Sequence, residues 1–164
     1  MFIATDICVI FGLNFSGKTT FAKYLASTLD KNFIYIDFIH TPYDIIDNIY
    51  ETNKNNKHVI IFDNYIEIKT NMRRMNLFKH QRQFTLIFVL NYIEKTIMNI
   101  SDVIYIAKNT EQYYIDIYFN LISKYYTNKN NFITKMNKLR NFGFICIDKD
   151  NKNKFEEELI KLPQ

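Results

Sequence analysis

Short apolar runs recur along the chain at Ile3–Phe11, Phe33–Asp37, His58–Asp63, Phe84–Leu90, Asp102–Ala107 and Phe144–Asp148. They are mostly continuous in Ile, Val, Leu and Phe, with little of the apolar–polar alternation of a strand that has one wet face. Continuous runs of this length predict strands covered on both faces, as in a parallel sheet flanked by helices. Helical spacing of apolar positions predicts the elements between them: Lys18–Leu29, Tyr43–Asn53 (Ile45, Ile46, Ile49 and Tyr50), a shorter Lys69–Lys79, the pair Thr110–Tyr126 and Asn131–Asn141, and Lys152–Leu162. Strands alternating with helices argue for a three-layer α/β sandwich on a mostly parallel sheet. One interval departs from the rhythm. Between Asn91 and Ser101 there is little room for a full crossover helix, yet a strand follows at once. The Asn-rich stretches Asn53–Lys57 and Asn128–Asn131 read as surface loops, and no repeat or linker divides residues 1–164, so a single domain is expected.

The first run ends in Gly12-Leu13-Asn14-Phe15-Ser16-Gly17-Lys18-Thr19, with Thr20 next. This matches G-x-x-x-x-G-K-[ST] at every fixed position, after a strand and before a helix, which is the context a P-loop requires. Glycines let successive backbone N–H groups turn into one concavity, and the helix behind it presents its positive end to phosphate. In such a loop Lys18 reaches the β- and γ-phosphates of ATP, and the Thr19 hydroxyl ligates Mg²⁺. Only three glycines occur in the chain, and two fall in this motif, which argues against a chance match.

The run HVIIFD ends in Asp63, the pattern of a Walker B strand whose carboxylate holds Mg²⁺. Asn64 follows, where an acid that orients the attacking water is usual, and an amide accepts no proton. Asp37 and Glu67 are candidate substitutes. Asn91 ends the fourth run and can touch the γ-phosphate if its strand lies between those of the P-loop and Asp63. That is the additional-strand, RecA-like order of P-loop NTPases. Arg73, Arg74 and Arg82 cluster before the fourth run and are candidates for an arginine supplied in trans, with Arg82 taken as the catalytic one.

Composition adds limits. Hydrophobic residues make up 48% of the chain, which excludes a disordered protein, and the net charge of +4 permits an anionic partner without demanding one. Cys8 and Cys146 sit inside apolar runs and read as buried, reduced thiols, without the number or spacing of a zinc site. No apolar stretch is long enough for a membrane span, and MFIATDICVIFG lacks a basic n-region, so a soluble intracellular protein with no membrane partner is expected.

Assembled in order, VIFGLNFSGKTTFAKYL, HVIIFDN, HQRQFTLIFVLNYIEKTIMNISDVIYIAKN and, more loosely, NFITKMNKLRNFGFICID resemble the genome-packaging ATPases of large DNA viruses, poxviruses among them, within the FtsK/HerA superfamily. The resemblance implies an ATPase that acts as a homo-oligomeric ring on double-stranded DNA, placed in the host cytoplasm or virus factory. In that family an Arg-His pair precedes the fourth strand, where this chain has Lys79-His80. The second acid is Asn64 here, and the Arg usual just before the Asp102 strand is missing. These departures bear on hydrolysis more than on nucleotide binding. A thymidylate-type nucleotide kinase is the alternative, with a similar P-loop and FDNY near its DRY segment. It lacks an arginine-rich lid here, and its strand order would put the Asp63 strand elsewhere. A degenerate, non-hydrolysing P-loop subunit is the third reading.

Overall fold

The computed structural model describes residues 7–53, 55–66, 78, 83–92, 95–125, 127–149 and 155–158. Its strands are β1 (Ile7–Phe11), β2 (Ile34–Asp37), β3 (His58–Asp63), β4 (Phe84–Leu90), β5 (Val103–Ala107), β6 (Phe144–Asp148) and β7 (Phe155–Glu158). Its helices are α1 (Lys18–Leu29), α2 (Ile45–Asn53), α3 (Lys95–Ile100), α4 (Gln112–Ile122) and α5 (Lys129–Lys138).

Among the described residues the strands form a seven-stranded sheet in the order β2-β3-β4-β1-β5-β6-β7. Pairing is parallel from β2 through β5 and antiparallel at β5–β6 and β6–β7. The unbroken apolar runs are explained by this placement, since β1, β4 and β5 are buried at every residue. Side chains alternate between two cores. Val9, Phe11, Phe62, Phe88 and Ile106 face the layer built by α2, α3, α4 and α5. Cys8, Ile10, Ile61, Val89 and Tyr105 face α1, which buries Phe21, Ala22, Leu25 and Ala26 against them. The fold is therefore the mostly parallel, three-layer α/β sandwich expected.

Strand β4 lies between β1 and β3, with Phe11 opposite Leu90 and Asp63 opposite Val89. This is the additional-strand order, and it departs from that of the nucleotide-kinase alternative. Parallel strands end on the same side, so the residues after β1, β2, β3 and β4 gather at one edge of the sheet.

Three expectations need correction. Residues 155–158 form a strand, where a helix over Lys152–Leu162 was expected; the rest of that segment lies outside the described residues. The open antiparallel edge of β6 offers a row of backbone donors and acceptors, and pairing there overrides the helix preference of Glu and Lys. The step from Asn91 to Asp102 contains a short helix, α3, which buries Ile97 and Met98 as the chain passes over β1 to reach β5. Finally, Cys146 is only partly buried, unlike Cys8. The predicted helix over Lys69–Lys79 falls outside the described residues except for Phe78, which is helical and buried.

Candidate nucleotide-binding site

The loop between β1 and α1 curls because particular residues permit it. A Cβ on Gly12 would lie 2.6 Å from the Ala107 Cβ on the neighbouring strand, so only glycine lets β1 leave the sheet there. Gly17 has φ 82 and caps α1, a left-handed conformation that glycine adopts without steric cost. Phe15 takes φ 63 at the loop's outer tip, where its side chain is fully exposed. Strained backbone of this kind in a bulky residue persists only where the surroundings impose it.

The loop frames a cleft of about 540 Å³, lined by residues Asn14 to Thr20 together with Ile39, Asp63, Asn64, Asn91 and Phe142. A second concavity of about 370 Å³ lies beyond the loop, against Lys108 to Glu111 and Asn141. Asn14, Phe15, Ser16 and Phe142 border both.

Lys18 is buried, and its ammonium donates to the Leu13 carbonyl at 2.6 Å. Burial lowers its pKa from 10.5 to about 8, against the opposing pull of the Asp63 charge. The Thr19 hydroxyl donates to Asp63 Oδ2 at 2.7 Å, and the Tyr35 hydroxyl donates to the same oxygen at 2.8 Å. Asp63 Oδ1 accepts from the Asn64 backbone N–H at 2.9 Å. Burial raises the pKa of Tyr35, and the bond to Asp63 and the charges of Asp63 and Asp37 add to that. The phenol therefore stays a donor at any ordinary pH.

At the same sheet edge, Asn64 Nδ2 donates to Asp37 Oδ1 at 2.9 Å, and Asn91 Nδ2 donates to Asn64 Oδ1 at 2.8 Å. Asn64 sits at φ 55, left-handed backbone that Asn tolerates better than most residues. Oxygen donors from Thr19 and Asp63 at hydrogen-bonding separation suit Mg²⁺, which takes few protein ligands and completes its shell with water and phosphate oxygens. No cluster of three or more His, Cys, Asp or Glu that could hold a metal ion occurs among the described residues. No helix among them is long and apolar enough to cross a membrane.

The structure thus brings Lys18, Thr19, Asp63 and Asn91 to one cleft with the glycine loop. Arg73, Arg74, Arg82, Glu67, Lys79 and His80 lie outside the described residues. Sequence reasoning missed Tyr35 and Phe142. Tyr35 reads as one more apolar strand position, and only the parallel register that sets it beside Ile61, two residues before Asp63, reveals its hydroxyl's target. Phe142 reads as part of a turn before Gly143. Its φ of 61 and its ring, 2.8 Å from where a Gly17 Cβ would stand, place it on the P-loop instead.

Fold and site together define a P-loop NTPase sandwich with one strand between the P-loop strand and the strand ending in Asp63. The solved structures it resembles include the genome packaging NTPase B204 from Sulfolobus turreted icosahedral virus 2 in complex with AMP. The TM-score is 0.67 at 16% identity, over 98% of this chain and 100% of that one. The complex of the same NTPase with ATP-γS gives 0.65 at 16% identity over the same shares. B204, the DNA-packaging ATPase from Sulfolobus turreted icosahedral virus, gives 0.66 at 15% identity over 94% of this chain and 97% of that one. No protein-family model and no curated protein matches the sequence.

Proposed function

We propose that the chain is a genome-packaging NTPase that binds ATP with Mg²⁺ and works as a homo-oligomeric ring on double-stranded DNA. The observation that carries this reading is the placement of β4 between β1 and β3, which brings Asn91 into the same cleft as Lys18, Thr19 and Asp63. The shared fold with packaging NTPases over nearly the whole chain supports it.

In this reading the backbone of Asn14 to Thr20 cradles the phosphates. Lys18 exchanges the Leu13 carbonyl for β- and γ-phosphate oxygens. Thr19 and Asp63 would hold Mg²⁺, which on binding offsets phosphate charge. Tyr35 keeps Asp63 aimed, because its hydroxyl remains bonded to Oδ2 when Thr19 turns away. An arginine from a neighbouring subunit, with Arg82 the first candidate and Arg73 and Arg74 next, completes the site on assembly. Turnover in the separated chain is slow, since Asn64 takes no proton from water.

A second reading, a nucleotide-binding subunit without turnover, is favoured by Asn64 alone. ATP hydrolysis measured with and without duplex DNA, beside a TMP phosphorylation assay, separates the possibilities. Hydrolysis stimulated by DNA supports the packaging NTPase. Binding without hydrolysis supports the subunit, and ATP consumption that needs TMP returns the kinase.

A further inference from the structure

We propose that Asp37 is a positioning residue of the nucleotide site: acting through Asn64, it turns the carbonyl oxygen of Asn91 toward the phosphates, where it holds the attacking water. The inference rests on the hydrolytic reading given above.

The argument is one of donors and acceptors. A carboxylate only accepts, so the Asn64 atom facing Asp37 Oδ1 at 2.9 Å is the amide nitrogen. Asn64 then presents its oxygen to Asn91, and an amide oxygen also only accepts. The Asn91 atom at 2.8 Å is therefore Nδ2. This leaves Asn91 Oδ1 without a hydrogen-bond partner among the described residues, on a side chain that lines the cleft. Asp37 itself does not line the cleft; its Oδ1 also accepts from the Ile39 N–H at 3.0 Å, which pins it.

The acceptor at 37 makes this arrangement one-way, and the Ile39 N–H holds that oxygen in place. With no acceptor at 37, both Asn64 and Asn91 can turn over together and keep the bond between them. The fixed polarity has a chemical use. An amide oxygen repels phosphate oxygens but accepts a hydrogen bond from water, which leaves a water lone pair free for phosphorus. The water oxygen bonds to the γ-phosphorus, and the bond to the β–γ bridging oxygen breaks, its electron pair leaving with ADP. Neither amide takes a proton, so the water's proton passes to an oxygen of the phosphate product. Asn64 is thus a conductor of polarity rather than a base, and its left-handed backbone is the cost of reaching both neighbours.

The test uses the nucleotide-free chain and then ATP turnover. Side-chain amide exchange with water, read by NMR, should be slowed for one Asn91 proton in the wild type. Asp37→Ala should abolish that protection and lower kcat tenfold or more, while the Kd for ATP-γS holds. Asp37→Asn keeps an oxygen for the Ile39 N–H and for Asn64 Nδ2, and should retain the protection together with most of kcat. Asn64→Ala cuts the chain at its middle with Asp37 intact, and has to expose Asn91 in the same way even if Asp37→Ala fails to fold. Protection of Asn91 that survives either alanine change overturns the proposal, as does its loss in Asp37→Asn. If the wild type turns over no ATP, the hydrolytic reading falls by itself, and the Asn91 exchange pattern still decides whether Asp37 controls that amide.

Discussion

Lys18 carries opposing demands within one side chain. It is buried in a loop that holds no anion of its own, and among the described residues its ammonium donates to the Leu13 carbonyl. Burial brings its pKa to about 8, from 10.5 in the unfolded chain. Between those values the unfolded chain holds a proton that the folded chain has released, so stability rises with pH across this window. The penalty for burying the charge is fully present below about pH 8 and is gone above about pH 10.5. Denaturant titration of nucleotide-free protein from pH 7 to 10.5 should show the rise, and Lys18→Met should remove it. The same variant, like Lys18→Ala, should abolish ATP binding while remaining folded. A second consequence concerns affinity. Bound phosphates hold Lys18 protonated, so binding draws in a proton above about pH 8 and weakens as pH rises further. Calorimetry in buffers of differing ionisation enthalpy should detect that uptake. These residues were legible because P-loop chemistry dictates residue types at fixed spacing. Tyr35 was not, since its role comes from a register across two strands, and Asp37 was visible only as a spare carboxylate.

At the level of elements, the contact of greatest consequence is that of β1 with β5 at the mouth of the site. Gly12→Ala would force a Cβ to within 2.6 Å of the Ala107 Cβ, pushing the ends of the two strands apart. The cost should be about 1–3 kcal/mol, typical of overpacking a closely packed core. Ala107→Gly in the same chain removes the obstructing methyl and should recover part of the stability, as a double-mutant cycle by chemical denaturation would reveal. Most elements could be read from hydrophobic period: α1, β3, β4 and β6 fall where the pattern puts them. The pattern failed where tertiary pairing decides the outcome. Residues 155–158 carry a helix-compatible composition, yet the exposed edge of β6 recruits them as β7. Helix α3 was under-read because six residues complete less than two helical turns and leave almost no periodic trace.

For the molecule as a whole, the proposed ring makes two measurable demands. Turnover per chain should rise with protein concentration as subunits meet and arginines enter neighbouring sites, and fast turnover by a demonstrated monomer would contradict this. Duplex DNA binding in the presence of ATP-γS should weaken steeply as salt rises, with little sequence preference, because neutralising backbone phosphates releases counterions. Exposed Lys138 and Arg140, at the end of α5, are basic groups available for such contacts. The strand order was legible in outline because a polar residue after the fourth run and the short step to Asp102 both suit a strand beside the P-loop. The proposed ring came from the resemblance alone, since subunit contacts leave no periodic signature in a chain whose lysines are spread throughout.

The sheet order also governs when a growing chain acquires its site. Strand β1 emerges from the ribosome first, yet its partners on both sides, β4 and β5, are made last among the parallel strands. Through residue 83 the nascent chain can pair β2 with β3, while β1 waits with both edges bare. Two unpaired edges on an entirely apolar strand invite association with other chains. Binding of an ATP analogue to stalled nascent chains should therefore be absent while only residue 83 has cleared the exit tunnel, and should first appear once residue 107 has done so. The P-loop, made before β4 and β5, becomes a binding site when the sheet closes around it from both sides.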